Sequence, residues 1–140
     1  MYSTTEIASD SLVSDNPIHQ RLLFPYLEAA KMVRGNVLEI GCGAGRGVEV
    51  LTPVVNHYTG IDKNTELMKS LAAKYPQHTF LDQHLPPLKG LADNSFDYIV
   101  TFQVIEHIQD DMLFLQEIHR VLRPGGVALI TTPNRPLSLS

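Results

Sequence analysis

The sequence predicts an α/β fold: a doubly wound, mainly parallel sheet with helices on both faces. Three observations predict it. Apolar, β-branched runs of strand length alternate with segments of helical periodicity. The run Asn-Val-Leu-Glu-Ile at 36–40 passes directly into Gly41-Cys42-Gly43-Ala44-Gly45-Arg46-Gly47, with glycine at every second position. Glycine tolerates positive φ and lets a backbone approach a ligand closely, so a strand running into such a loop marks a nucleotide-type site. The next apolar run, His57 to Ile61, ends in Asp62, about 20 residues beyond the loop, where an acid can take both hydroxyls of a ribose.

Residues Met1 to Asn16 are rich in Ser, Thr and Asp with little apolar periodicity, and read as a flexible tail. Pro17 suits the first turn of a helix capped by Asn16. Ile18, Leu22, Leu23, Tyr26, Leu27, Ala30 and Val33 recur at helical spacing, and Pro25 predicts a kink or two short helices. Beyond the glycine loop, Val48, Val50, Leu51 and Val54 make a short helix that Pro53 ends. Asn64 to Tyr75 is a second helix, with Asn64 as cap, Glu66 near its N-terminus and Leu67, Met68, Leu71, Ala72 and Tyr75 as its buried stripe. Pro76 stops it.

Thr79 to Leu81 is a brief third strand, followed by Asp82-Gln83-His84-Leu85-Pro86-Pro87. Phe96 to Phe102 is the most strand-like run of the chain. Gln103 to Ile108 then lies at its carboxyl end, where an open α/β sheet binds ligands. Asp110 to Leu122 is helical, Pro124-Gly125-Gly126 turns the chain, and Val127 to Thr132 is a fifth strand. Pro133-Asn134-Arg135-Pro136 is expected to end regular structure.

At 140 residues the chain is one domain, long enough to bury roughly two-thirds of its unfolded surface. A hydrophobic content of 44% suits a soluble globular protein, and no run approaches the roughly 20 apolar residues of a membrane span. The polar first residues give no signal peptide, so a cytoplasmic location without membrane association is expected. A net charge of −4 argues against a nucleic-acid-coating surface. Cys42 is the single cysteine and sits where the loop needs a small side chain, so its reading is structural rather than nucleophilic. The six histidines show no ligand spacing, and no metal site is expected.

Two cofactor classes fit a ribose acid and a glycine loop: dinucleotides and S-adenosylmethionine. The dinucleotide pattern places a third glycine where this chain has Arg46. Instead the loop is preceded by Glu39, and acid-x-Gly-x-Gly-x-Gly resembles motif I of the class I S-adenosylmethionine-dependent methyltransferases. The resemblance continues through Asp62, through Asn94-Ser95-Phe96-Asp97 opening the fourth strand and Glu106-His107-Ile108 after it. It ends in Val121-Leu122-Arg123-Pro124-Gly125-Gly126 before the fifth. It implies a Rossmann-like sheet of order 3-2-1-4-5, here truncated after strand 5, with residues 17–140 forming an incomplete cofactor-binding domain.

The same resemblance implies S-adenosylmethionine as cofactor and S-adenosylhomocysteine as product. Its binding residues would be Glu39, Gly41, Cys42, Gly43, Gly45, Asp62, Lys63 and Gln103, with Arg21 reaching the cofactor's carboxylate. Asp82 would accept from the adenine amino group and the Gln83 backbone N–H would meet a ring nitrogen, with His84 the other candidate because the loop is one residue short. His107 is the candidate base; the alternative is that the Glu-His pair only organises its loop. The implied activity is methyl transfer to a small-molecule acceptor at oxygen or carbon. The other reading is a cofactor-binding module without catalysis, since elements beyond strand 5 are expected to be absent and this chain alone to be poorly active. An uncovered strand 5 would offer a route to a homodimer.

Overall fold

A computed structural model of the chain describes residues 17–132 and 136–139. The expected Met1 to Asn16 tail lies outside the described residues. The elements run α1 (Pro17–Ala29), β1 (Asn36–Ile40), α2 (Val48–Leu51), a 3-10 turn (Thr52–Val54), β2 (His57–Asp62) and α3 (Thr65–Lys74). There follow β3 (Thr79–Asp82), β4 (Phe96–Phe102), a 3-10 turn (Ile105–His107), α4 (Asp111–Val121), β5 (Leu122–Thr131) and β6 (Pro136–Leu139). The sheet has the order β3-β2-β1-β4-β5-β6, with the first five strands parallel as expected.

The helix starts follow from side chains that satisfy otherwise orphaned N–H groups. Asn64 accepts from the Leu67 N–H at 3.0 Å, and Asp110 from the Leu113 N–H at 3.1 Å. Pro25 lies within α1 without dividing it, so the alternative of two short helices does not occur. Proline removes one helical hydrogen bond, and packing of the α1 face holds the remainder together. That face contributes Tyr26 and Ala29, both buried.

Two apolar layers sandwich the sheet. On one face Tyr26, Ala29, Val48, Leu51, Met68 and Leu71, from α1, α2 and α3, pack against Val37, Tyr58, Val100 and Phe102. On the other, Phe114, Ile118 and Val121 of α4, with Leu88, pack against Leu38, Ile40, Ile61, Ile99 and Ile130. Side chains alternate between faces along each strand, so Val37 and Leu38 serve opposite layers. Each fully buried residue of this size contributes on the order of 1.5–3 kcal/mol.

The last two strands depart from expectation. β5 begins at Leu122, paired with Phe96, and its register with β4 shifts before Tyr98 meets Val127. The Arg-Pro-Gly-Gly segment is thus an irregularity within the ladder rather than a turn ahead of it. There Gly126 lies so close to β4 that a Cβ would come within 2.8 Å of the Asp97 carbonyl oxygen. β6 then pairs antiparallel with β5, Ala128 with Leu139 through Thr131 with Pro136. Regular structure therefore resumes at Pro136, and β5 is an interior strand, which corrects the expectation of an uncovered edge there. Pro136 is tolerated because it opens the strand. No helix among the described residues is long and apolar enough to cross a membrane.

Candidate functional site

Because β3, β2, β1 and β4 are neighbours running in one direction, their carboxyl ends line up over three strand spacings, about 14 Å. The glycine loop leaves β1 there and folds onto β2. The N–H groups of Gly41 and Cys42 donate to the Ile61 carbonyl at 2.7 and 3.0 Å, and that of Gly45 to the Cys42 carbonyl at 3.0 Å. The Gly43 N–H donates to Oδ1 of Asp62 at 3.2 Å. These four N–H groups are engaged within the chain, and α2 after them is only 4 residues long. A pyrophosphate cradle needs N–H groups directed outward at a helix N-terminus. With these four N–H groups turned to partners within the chain, little of the loop is left to form such a cradle at so short a helix, which disfavours the dinucleotide reading.

Gly41 has φ +82°, and a Cβ there would stand 2.5 Å from Cγ2 of Val104 in the segment after β4. The glycine is needed both for its left-handed backbone and for that close approach. At Gly45 an added Cβ would meet Leu71 of α3 at 2.5 Å. The loop is therefore held between the β4 connection and α3.

Asp62 closes β2 half-buried, and its second oxygen accepts the Asn64 N–H at 3.0 Å. Asp82 is its register partner on β3. Asp82 is exposed, and its Oδ2 accepts the Thr65 hydroxyl at 3.0 Å. Lys63 and His84 are exposed beside these acids. The Gln83 N–H donates to the Asp62 carbonyl at 3.1 Å, so the backbone group expected to face a ligand is committed to the sheet. The Gln83 side chain is bound at one end only. Its Nε2 donates to the Lys89 carbonyl at 2.6 Å, while Oε1 is buried without a hydrogen-bond partner among the described residues.

The loop after Gln83 is gripped from α4. Arg120 donates to the Leu88 and Leu91 carbonyls at 3.0 and 2.8 Å and to Asp93 at 2.8 Å. Glu117 accepts the Leu88 N–H at 2.9 Å and the Arg120 Nε–H at 2.8 Å. The Arg120 guanidinium holds the Glu117 carboxyl below its ordinary value; burial opposes it, and the Leu88 N–H adds a smaller lowering.

Two of the expected cofactor residues point into the core. Glu39 is fully buried, and its carboxylate receives the hydroxyls of Tyr26 and Tyr58. Burial, then the adjacent Glu39, pushes Tyr58 well above its ordinary value, so that hydroxyl keeps its proton. Cys42 is also buried, its sulfur 3.7 Å from that of Met68. Burial first, then Glu39 and Asp62, raises the thiol strongly, which leaves it protonated and a poor nucleophile.

At the end of β4, Gln103 adopts φ +58°, a conformation uncommon for a residue other than glycine. Its N–H is shared between the carbonyl and hydroxyl oxygens of Thr131, at 3.0 and 3.1 Å, which holds the strained residue in place. His107 follows on the 3-10 turn with 59% of its side chain exposed, its Nε2 3.7 Å from Glu106. The side chain of Arg21, within α1, lies outside the described residues. No group of three or more His, Cys, Asp or Glu residues that could hold a metal occurs among the described residues.

The carboxyl ends thus bring together the glycine loop, Asp62, Asp82, Gln83 and Gln103, whereas Glu39 and Cys42 serve the core beneath. Tyr26 and Tyr58, which hold Glu39, and the Glu117–Arg120 grip were not identifiable as site residues in the sequence. The i,i+3 spacing of an acid and an arginine on α4 was their only local signal.

A family model described as methyltransferase domain matches residues 38–130. A protein of Mycolicibacterium smegmatis, named a probable S-adenosylmethionine-dependent methyltransferase, is 38% identical over 133 residues, covering 94% of this chain and 51% of that relative. A ubiquinone biosynthesis O-methyltransferase of Psychrobacter arcticus is 31% identical over 71% of this chain and 41% of its own length. Among solved structures, the YcgJ protein of Bacillus subtilis superimposes with a TM-score of 0.65 at 27% identity, covering 80% of this chain and 50% of that one. The chain spans about half the length, or less, of these curated relatives.

Proposed function

The chain belongs to the family described as methyltransferase domain, and from that membership we propose that it binds S-adenosylmethionine and serves an enzyme that methylates a small molecule at oxygen or carbon. The observation that carries this reading is the Asp62 carboxylate, half-buried at the end of β2 and tied to the glycine loop through Gly43. The residues fit the cofactor on two counts. Asp62 offers two acceptor oxygens suited to a ribose diol, and Gln83 offers a buried acceptor that lacks a donor among the described residues. When bound, S-adenosylmethionine supplies a methyl group activated by its sulfonium.

The residues of this chain act by holding and aligning. Asp62 takes the hydroxyls, Gly41 and Gly43 leave room at the backbone, and Gln103 lines the end of β4. Glu39 fixes Tyr26 and Tyr58 beneath the loop instead of touching the ligand. His107 serves as base where the acceptor must lose a proton. The name of the ubiquinone-pathway relatives favours oxygen as the acceptor atom.

The test measures two quantities in parallel: calorimetric binding of S-adenosylhomocysteine, and methyl transfer from S-adenosylmethionine to a panel of phenols, carboxylic acids and carbon acids. Binding with turnover is the expected result. Binding without turnover on any acceptor supports the cofactor-binding module, and absence of binding removes the proposal.

A further inference from the structure

We propose that His57 and His78, at the amino ends of β2 and β3, form a pH-sensitive clamp: it holds the edge strand β3 while His78 is neutral and releases it in mild acid. This device is independent of the proposed function, save for the ligand arm of its test. β3 is four residues long and lies at the edge of the sheet beside β2. Its ladder begins where Thr79 meets Thr59. One position earlier on each side stand His78 and Tyr58, and there a side chain replaces the missing rung. The Tyr58 N–H donates to Nδ1 of His78 at 3.1 Å. His57 crosses in the other direction, its Nε2 2.9 Å from the Thr79 hydroxyl.

The two imidazoles answer a proton differently. Because Nδ1 of His78 accepts a backbone N–H, the neutral ring carries its own proton on Nε2. A second proton must go to Nδ1, where it leaves two donors face to face, and the bond to Tyr58 is lost. The His57 contact survives, since a threonine hydroxyl can accept as well as donate. The titratable side chains against the His78 ring are His57 and Tyr58 of β2, with ring centroids 5.6 and 6.3 Å away. From the end of α3, Lys74 and Tyr75 come just before it. The Lys74 ammonium lies 5.5 Å over the Tyr75 ring, and the Tyr75 carbonyl accepts the His78 N–H at 3.1 Å. Burial first, then the neighbouring His57, lowers His78 below its ordinary 6.5.

The unfolded chain thus takes up the His78 proton at a higher pH than the folded one. The clamp's contribution is complete above about pH 6.5 and is lost as pH falls through the lower, folded value. Its position gives the loss a reach beyond the two rings. The far end of β3 carries Asp82, opposite Asp62, and then Gln83, whose N–H donates to the Asp62 carbonyl. Tyr58 itself extends its hydroxyl to Glu39 beneath the glycine loop. Four register pairs join β2 to β3 between the clamp and that far end. An edge strand so short opens readily once its first contact is gone.

Nitrogen-15 NMR of the full chain tests the clamp directly. His78 should show the Nε2–H tautomer and titrate below 6.5. Protection of the Tyr58 amide, taken relative to its intrinsic exchange rate at each pH, should fall by up to about tenfold between pH 7.5 and 5.5. His78→Asn keeps an acceptor near the place of Nδ1 but does not titrate, so protection should stay within about twofold across that range. His57→Gln should move the His78 midpoint upward. Calorimetry with S-adenosylhomocysteine should show affinity falling several-fold from pH 7.5 to 5.5 in the wild type and less in His78→Asn. Titration of His78 at or above 6.5 with unchanged Tyr58 protection overturns the clamp, and so does an undiminished pH response in His78→Asn. Equal pH dependence of ligand affinity in the two chains, with the amide response intact, overturns the link to the site. Failure to bind the ligand at either pH overturns the proposed function and leaves the clamp standing.

Discussion

The ring of Tyr26 fills the space that a side chain at Gly47 would need: a Cβ built there would lie 2.0 Å from Cε1 of the tyrosine. Gly47 has φ −83°, so its backbone is ordinary and the constraint is purely one of room. Gly47→Ala should therefore destabilise the fold by about 1–3 kcal/mol as Tyr26 is pushed from Glu39. Urea unfolding of the variant against the wild type measures this, and unchanged stability would show that the ring is not held there.

Asp62 is the residue on which ligand affinity should depend most. Charge-assisted hydrogen bonds to it are worth about 1.5–3 kcal/mol each. Asp62→Ala should reduce affinity for S-adenosylhomocysteine roughly tenfold or more. Calorimetry gives the number, with circular dichroism to confirm that the variant is folded. An unaltered dissociation constant would reject Asp62 as the ribose acid.

The alkaline limb of stability should be set in part by two buried protons. Tyr58 and Cys42 ionise ordinarily at 10.0 and 9.0, and both are raised in the folded chain, chiefly by burial. Above these ordinary values the unfolded chain releases protons that the folded chain keeps, so stability falls as pH rises. Their contribution is complete below about pH 9 and declines beyond it. Tyr58→Phe should flatten the decline between about pH 9 and 11 in urea unfolding, and an unchanged slope would count against the buried hydroxyl.

Acid should loosen the grip of α4 on the loop after β3. The Glu117 carboxyl lies below its ordinary 4.5, held first by Arg120. Its stabilising effect is present above that value and is lost as pH falls through the lower, folded one. Protection against amide exchange over residues 88–93, taken relative to the intrinsic rate at each pH, should fall below about pH 4.5 in the wild type. Glu117→Gln should exchange faster at neutral pH, with less further change on acidification.

Much of this was legible in the sequence where the signal is local. Phe96 to Phe102 was bounded correctly because a long β-branched and aromatic run is distinctive. Asn64 and Asp110 were readable as helix starts for the same local reason. What could not be read depends on distant partners. Glu39 looked like a ligand residue from its place before the glycines, yet its partners Tyr26 and Tyr58 stand 13 and 19 positions away on other elements. Tyr26 itself read as one more apolar position on a helical stripe. Packing against the sheet overrode the division into two helices that Pro25 offered as one outcome, and β6 was hidden because Pro133 precedes it and Pro136 opens it.

Asp62 accepts one backbone N–H on each carboxylate oxygen, from Gly43 and from Asn64. The consequence is entropic. A carboxylate free to rotate surrenders rotamer freedom on meeting its ligand, a penalty of roughly 0.5–1.5 kcal/mol for an immobilised side chain. Here the loop and the turn have already removed that freedom at folding. Each oxygen keeps a further lone pair. On the proposed role of Asp62, a ribose diol would meet an acceptor pair that need not turn, and the loss of freedom on binding would fall on the ligand alone.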